Sequence, residues 1–255
     1  MRTFCSLLVR GLIAGLFAGL LAGTFAYVMG EPHIDAAIAI EEAGTSAHTH
    51  AGETPGDEPL ISRNGQRAGL FLATSLYGVA LGGIFAVAFA LLRRRLRTPS
   101  DSYAALGLAA AGFVGIVLVP FLKYPANPPA VGDPETITTR TVSYLLTLVI
   151  GLLAVWASVA APRWADDRFK RPAAWIRPAF GAAAFVTTVA IAYLILPAVN
   201  EVPGTFPATL LWQFRLAALG TQTVLWLLLG FAFAALVDRA AKPAVEVVPA
   251  AGGAA

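Results

Sequence analysis

Imidazole and carboxylate side chains gather in the segment that follows the first apolar run of the chain. Glu31, His33 and Asp35 come at the end of that run, and His48 and His50 follow as H-T-H in a stretch rich in glycine, serine, threonine and alanine. Together, carboxylate and imidazole suit divalent first-row metals such as cobalt, nickel and zinc. We therefore predict metal ligands here. The competing interpretation is an ordinary solvated loop, since no H-E-x-x-H spacing supports the two histidines.

Three more carboxylates belong to two proline-containing turns later in the chain. Asp133 and Glu135 lie in K-Y-P-A-N-P-P-A-V-G-D-P-E, and Glu201 lies in P-A-V-N-E-V-P-G. An arginine follows each turn, Arg140 in one case and Arg215 in the other. A carboxylate beside an arginine at a helix end is typical of a structural ion pair. At the mouth of a cation path it would also position an entering ion, so these carboxylates join the predicted metal ligands.

A spacing of seven residues recurs three times after the proline-containing turns. An arginine is followed by a small polar or amide side chain on the same face of a predicted helix, roughly 10 Å deeper in the membrane. Polar groups at membrane depth are functional candidates by default, so the deeper members are predicted to line a translocation path. The three pairs are Arg67 with Thr74, Arg140 with Thr147, and Arg215 with Gln222.

Known catalytic motifs are missing from the sequence. It contains no G-x-S-x-G and no Walker A motif, which argues against a serine hydrolase or an ATPase. Lys170, Arg177 and Pro178 match the opening motif of membrane lipid phosphatases, but those enzymes need later histidines and none follows His50. No ionisable residue lies deep within an apolar run, which disfavours a proton pump. The sequence therefore predicts a protein that is not an enzyme.

The composition requires these polar groups to be positioned by a membrane-embedded fold. Of 255 residues, 57% are hydrophobic and 13% are charged, and the mean hydropathy is +0.70. A compact soluble fold could not bury so much apolar surface, whereas a membrane protein exposes it to lipid. The single cysteine, Cys5, excludes a disulfide framework. The net charge of +3 reflects topology and predicts no nucleic-acid partner.

Six apolar runs of about 20 residues or more predict an all-α bundle of six transmembrane helices. We predict one transmembrane domain over residues 1–242, a disordered tail over 243–255, and an acidic, histidine-bearing outer loop over 31–68. The first run is too long for a signal-peptide core and is predicted to be retained. The predicted spans are 7–29, 70–92, 103–122, 142–161, 179–199 and 214–237.

Charged residues divide unequally between the two sides of the predicted spans. Thirteen of the 18 basic residues fall on the side of both termini, which the positive-inside rule makes cytoplasmic. Ten of the 15 acidic residues and all three histidines fall on the other side. An anionic, histidine-bearing outer face would attract cations. Outer loops that are acidic for no functional reason remain the alternative.

The six spans group into three hairpins that resemble one another. Each hairpin leaves the membrane through a proline-containing turn, which suggests a triplicated unit, although similar composition alone would give the same impression. The first helix also carries a glycine every fourth residue, which predicts close packing against another helix of this chain or of another subunit. These glycines are Gly11, Gly15, Gly19 and Gly23.

The proline-containing turns resemble the CbtA family of probable cobalt transporter subunits. The resemblance lies in P-A-N-P-P-A-V-G-D-P-E-T-I from Pro125, in N-E-V-P-G-T-F-P-A-T-L-L-W-Q-F-R from Asn200, and in the G-E-P that ends the first helix. It implies a bacterial inner-membrane protein that takes up cobalt for cobalamin synthesis. It also implies a small one-span partner, CbtB, with a histidine-bearing end. The family supplies no established ligand residues.

Three functions remain open on this basis. The first is a cobalt-uptake permease subunit in which Co²⁺ is the transported ion and no cofactor is permanently bound. The second is a non-transporting membrane scaffold that holds a partner through the glycine face of the first helix. The third is a permease for another divalent metal or a small solute. The sequence leaves ion selectivity, energy coupling and homo-oligomerisation undetermined.

Overall fold

The chain forms an all-α, multi-pass membrane protein. The computed structural model describes residues 4–48, 62–96, 98–169 and 173–239, and no strand occurs in these ranges. Six helical segments are long and apolar enough to cross a membrane, which confirms the predicted number of spans. The helices are α1 (Phe4–Met29), α2 (Glu31–His48), α3 (Arg63–Leu92), α4 (Asp101–Gly112), α5 (Val119–Lys123), α6 (Ile137–Arg168), α7 (Ile176–Ile195) and α8 (Ala208–Arg239).

The predicted outer loop begins with a helix instead. Residues Glu31–His48 form α2, directly after the last turn of α1. The predicted loop rested on the glycine-, serine- and threonine-rich stretch around His48, whereas the residues directly after Pro32 are mainly alanine, isoleucine and glutamate, which a helix accommodates. Ala37 of α2 packs against Val131 and Phe206, and this contact joins α2 to turns far along the chain. His50 and the predicted tail lie outside the described residues.

Several helices extend beyond their apolar runs. The third helix begins at Arg63 instead of Leu70, and the Ser62 hydroxyl accepts a hydrogen bond from Gly65 N (3.2 Å), which caps this end. The helix α6 continues to Arg168. The turns of a helix that project from the membrane contain polar residues. A search for apolar runs therefore ends the predicted helix before these turns.

The glycine face of α1 packs within the chain. A side chain on Gly15 would collide with the carbonyl oxygen of Gly78, and one on Gly11 would collide with that of Gly82. The two backbones therefore approach as closely as glycine alone allows. The glycine face of α1 is thus covered by α3 of the same chain.

The core of the bundle lies around α8, which packs against both α1 and α4. Phe233 is fully buried there and makes edge-on contacts with Phe85 and Phe89 of α3, at centroid distances of 5.1 Å. By contrast, α7 packs mainly against α6 and leaves Leu194 86% exposed. The three predicted hairpins are thus not packed alike, because α7 does not pair with α8 as α1 pairs with α3.

The third span is interrupted near its middle. Between α4 and α5, residues Phe113–Leu118 form a π-helical segment that ends just before Pro120. Proline lacks the N–H that an α-helix requires, and π-bulges are one way to accommodate this loss. Pro120 thus accompanies a widened turn at which Gly115 lies against Gly151 of α6.

Candidate functional site

The three proline-containing turns meet at one end of the bundle, which we call the proline end. It comprises residues 30–32, 124–136 and 196–207 together with α2. A small apolar cluster of Ala37, Val131 and Phe206 joins α2 to the second and third turns. Side chains that are far apart in sequence are therefore assembled here.

A cavity of about 910 Å³ opens at the proline end, between α3, α5, α6, α8 and the two later turns. Its walls include apolar side chains such as Phe121 and Leu148. The polar side chains that matter for its chemistry are those of Asn127, Arg140, Tyr144, Glu201, Arg215 and Gln222. We call this space the proline-end cavity.

Glu201 is held at the cavity by three separate groups. An Arg140 Nη1 lies 3.2 Å from Glu201 Oε2, and the backbone N–H of Asp133 donates to the same oxygen at 2.9 Å. The Thr136 hydroxyl donates to Oε1 at 2.5 Å. The Thr136 and Asp133 hydrogen bonds, aided by the Arg140 charge, lower the pKa of Glu201 below its ordinary value. The carboxylate is therefore ionised at neutral pH and already fully engaged.

Arg215 lines the same cavity but contacts only neutral acceptors. Its Nη2 donates to Asn127 Oδ1 at 2.9 Å, and its Nε donates to the Ala126 carbonyl at 3.3 Å. In the described part of the chain no carboxylate lies within 4.0 Å of this guanidinium. Glu201 pairs with Arg140, and the second turn supplies the neighbours of Arg215.

Two buried polar atoms at the cavity have no hydrogen-bond partner among the described residues. They are Arg140 Nε and Gln222 Oε1. Leaving a buried polar group unpaired costs about 1–3 kcal/mol. Such groups in a cavity wall are suited to a ligand that completes their hydrogen bonds.

The first predicted ligand group forms a cluster of ion pairs instead of an open site. Glu31 accepts from Arg63 Nη2 at 2.7 Å and from Arg67 Nε at 3.2 Å. Asp35 accepts from both arginines at 2.8 Å, and the Arg63 hydrogen bond is the main reason that the pKa of Asp35 is lowered. Glu31 is only 6% exposed. These contacts clamp α2 against the start of α3.

The remaining predicted ligands are scattered. Glu135 is exposed, and the Asp133 carboxylate accepts from the Glu135 N–H at 2.9 Å, which caps a short 3₁₀ turn. His33 lies in the first turn of α2, and His48 is the last residue of that helix. Throughout the described ranges, no three His, Cys, Asp or Glu side chains form a metal-binding group. Metal ligation by the residues named in the sequence analysis therefore stays a prediction.

Of the three predicted path residues, Gln222 lines the cavity. The Thr74 hydroxyl donates to its own helix at the Leu70 carbonyl (2.9 Å). Thr147 is fully buried, and its hydroxyl donates to the Ser143 carbonyl (2.7 Å). Threonine commonly bonds its own helix in this way. The three equally spaced pairs thus have three different environments.

Several functional candidates escaped the sequence reasoning. Tyr77 and Tyr144 line the cavity from within apolar runs, and Asn127 lies among the prolines of the second turn. Lys123 Nζ donates to the Tyr193 carbonyl at 2.9 Å and lies 5.8 Å from that ring's centroid. The sequence signal that could have identified Tyr77 and Tyr144 is a tyrosine within an apolar run.

Comparison with family models gives a match to CbtA, described as a probable cobalt transporter subunit, over residues 4–238. Comparisons with curated proteins and with solved structures find no match. The matched range includes five spans completely, the sixth except for its last residue, α2 and the whole proline-end cavity. The family assignment also agrees with the expectation of a transporter component instead of an enzyme. The chain belongs to the CbtA family of probable cobalt transporter subunits.

Proposed function

We propose that this chain is the membrane subunit of a bacterial cobalt-uptake transporter and works with a small one-span partner. The observation that carries the proposal is the family match over residues 4–238, which covers nearly the whole chain. The word subunit in the family description supports a complex. Supply of cobalt for cobalamin synthesis is part of the same proposal.

The proposed orientation places the proline end outside the inner membrane and both termini in the cytoplasm. At the opposite end, arginines follow α3 and occupy the ends of α6 and α8, as in Arg93, Arg168 and Arg239. Positive charge of this kind is retained on the cytoplasmic side. The proline-end cavity would then face the incoming substrate.

Cobalt would enter through the proline-end cavity and pass Gln222. Since the described residues contain no preformed metal cluster, the inner coordination must be completed by a partner or by ligands that arrive with the ion. The sequence contains no Walker A motif, so the membrane potential is the proposed driving force. It supplies about 2.3 kcal/mol per charge for each 100 mV, and twice that for a divalent ion.

The decisive experiment is metal accumulation in a bacterial host without cobalamin synthesis. The chain is expressed with and without a one-span partner, and cobalt, nickel and zinc are quantified by mass spectrometry. We expect selective cobalt accumulation that requires the partner. Accumulation of nickel or zinc alone would favour the alternative permease. No accumulation, with both proteins in the membrane, would refute transport.

The scaffold alternative has lost its main support. It relied on a free glycine face on α1, and α3 of the same chain covers that face through Gly78 and Gly82. Substitutions at Gly15 would therefore disturb the fold itself and would not report on a partner.

A further inference from the structure

The proline-end cavity holds more positive charge than its own carboxylates balance. Arg140 and Arg215 both line it, and Glu201 is the one carboxylate among the described residues in its wall. Glu201 is already bonded to Arg140, Thr136 and the Asp133 N–H. A bare dication entering this space would meet an uncompensated guanidinium, and like charges repel.

Among the described residues, no carboxylate serves as a counter-ion for Arg215. Its hydrogen bonds within the described residues are to the Asn127 side chain and the Ala126 carbonyl, which are neutral. Arg67 and Arg140, the arginines that stand at equivalent positions of the other two hairpins, each have a carboxylate. Arginine stays protonated in proteins, and its planar fork matches a carboxylate. A carboxylate ligand would therefore supply Arg215 with the ion-pair partner that the chain itself supplies to Arg67 and Arg140.

A second donor at the cavity has the same need. Arg140 Nε is buried and has no acceptor, although Nη1 of the same guanidinium is paired with Glu201. One guanidinium thus presents an unused donor, and the other presents an unbalanced charge. Both unmet requirements are satisfied by an anion that accepts hydrogen bonds.

We propose that the proline-end cavity binds a small carboxylate-bearing anion, held by Arg215 and by Nε of Arg140, and that cobalt enters as a complex of such an anion. The volume of about 910 Å³ lies within the range of small-molecule sites. A tricarboxylate that chelates one divalent ion keeps a negative charge for the guanidinium groups. The anion supplies the metal ligands that the described part of the chain lacks. The cobalt part rests on the proposed function, whereas anion binding does not.

The test is calorimetric titration of the full chain in lipid nanodiscs. The probes are citrate, sulfate, cobalt chloride and equimolar cobalt–citrate. We expect citrate and cobalt–citrate to bind, and Arg215→Gln to weaken both about tenfold or more through loss of a charge-assisted hydrogen bond. The matched control is Arg177→Gln, which removes an exposed arginine from the opposite end of the bundle and should leave binding unchanged.

Other outcomes would overturn the proposal. Equal citrate binding by the Arg215→Gln variant, or sulfate binding as tightly as citrate, would refute a carboxylate site at this arginine. If Arg215→Gln does not fold, Arg215→Lys retains the charge without the fork and should weaken citrate several-fold. Cobalt uptake by the whole transporter that needs neither citrate nor Arg215 would refute entry as a complex. Citrate binding without any cobalt uptake would contradict the proposed function and establish the anion site alone.

Discussion

Arg140 on α6 and Glu201 in the turn between α7 and α8 are joined by an ion pair, with Nη1 and Oε2 3.2 Å apart. The two residues belong to different hairpins, so this contact connects the start of α6, directly after the second proline-containing turn, to the third turn. The same carboxylate accepts from Asp133 N and the Thr136 hydroxyl, which are close to Arg140 in sequence. Glu201 is therefore the point at which one wall of the proline-end cavity is fastened to another.

Acid should weaken the interactions of Glu201 with Arg140, Asp133 N and Thr136. The pKa of Glu201 is lowered from its ordinary value of 4.5 by the Thr136 hydroxyl, the Asp133 N–H and Arg140. A carboxylate whose pKa is lower in the folded state contributes stability above its unfolded pKa and loses it as pH falls through the folded value. We expect the melting temperature to be nearly constant from pH 7 to 5 and to fall below about 4.5.

The Glu201→Gln variant isolates this contribution. It should melt at a lower temperature than the natural protein at pH 7 and show a weaker acid dependence, measured by thermal unfolding in detergent. Asp35 has a lowered pKa for a similar reason, its hydrogen bond from Arg63. Some acid dependence will therefore remain in the variant. An acid response identical to that of the natural protein would show that Glu201 does not fasten the cavity wall.

The α1–α3 interface should tolerate no added methyl group. A Cβ on Gly15 would collide with the Gly78 carbonyl, so Gly15→Ala should destabilise the protein by about 1–3 kcal/mol. In α4, a Cβ on Gly107 meets nothing within 4 Å, so Gly107→Ala should be neutral or stabilising by up to about 1 kcal/mol. Equilibrium unfolding of the two variants compares them directly. Equal stability of both would contradict the close approach of α1 to α3.

The sequence predicted the spans and the location of polar chemistry because both depend on local patterns. Apolar runs of about 20 residues identify transmembrane helices, and a glycine every fourth residue identifies the packed face of α1. Even α2 could have been suspected from the helix-compatible residues after Pro32. The contact of Ala37 with Phe206, which determines what α2 packs against, is not contained in a local pattern.

Partner choice was beyond the reach of the sequence for the same reason. Arg215 lies close to Glu201 in sequence, yet its hydrogen bonds go to Asn127 and Ala126 in another turn. The preference of α7 for α6 likewise depends on how the helices pack in three dimensions. Equal spacing of the three arginines therefore predicted their position at one end of the bundle but not their chemistry.

Cation capture can be tested at a carboxylate that does not support the fold. Glu135 is exposed, and the described part of the chain shows no hydrogen bond or ion pair of its side chain. Glu135→Gln should therefore leave stability unchanged. If the Glu135 carboxylate concentrates free Co²⁺ at the cavity mouth, initial cobalt uptake by the variant should fall several-fold at low salt and less at high salt, whereas entry as an anionic complex predicts equal or faster uptake. The measurement is initial uptake against ionic strength in cells with equal protein levels, and a salt-independent rate equal to that of the natural protein would exclude capture by Glu135.

Substitution of Gln222 should change the transport rate and the free energy of unfolding in opposite directions. Its Oε1 is buried without a partner, which costs about 1–3 kcal/mol, so the apolar isostere in Gln222→Met should keep or raise the free energy of unfolding. If the amide instead serves a passing substrate, the same variant should lose most cobalt uptake. Thr147→Val is the matched control, because that hydroxyl bonds the Ser143 carbonyl of its own helix. Uptake that survives Gln222→Met and Thr147→Val alike would exclude Gln222 from the path, since a group that contacts the substrate cannot be replaced without a change in rate.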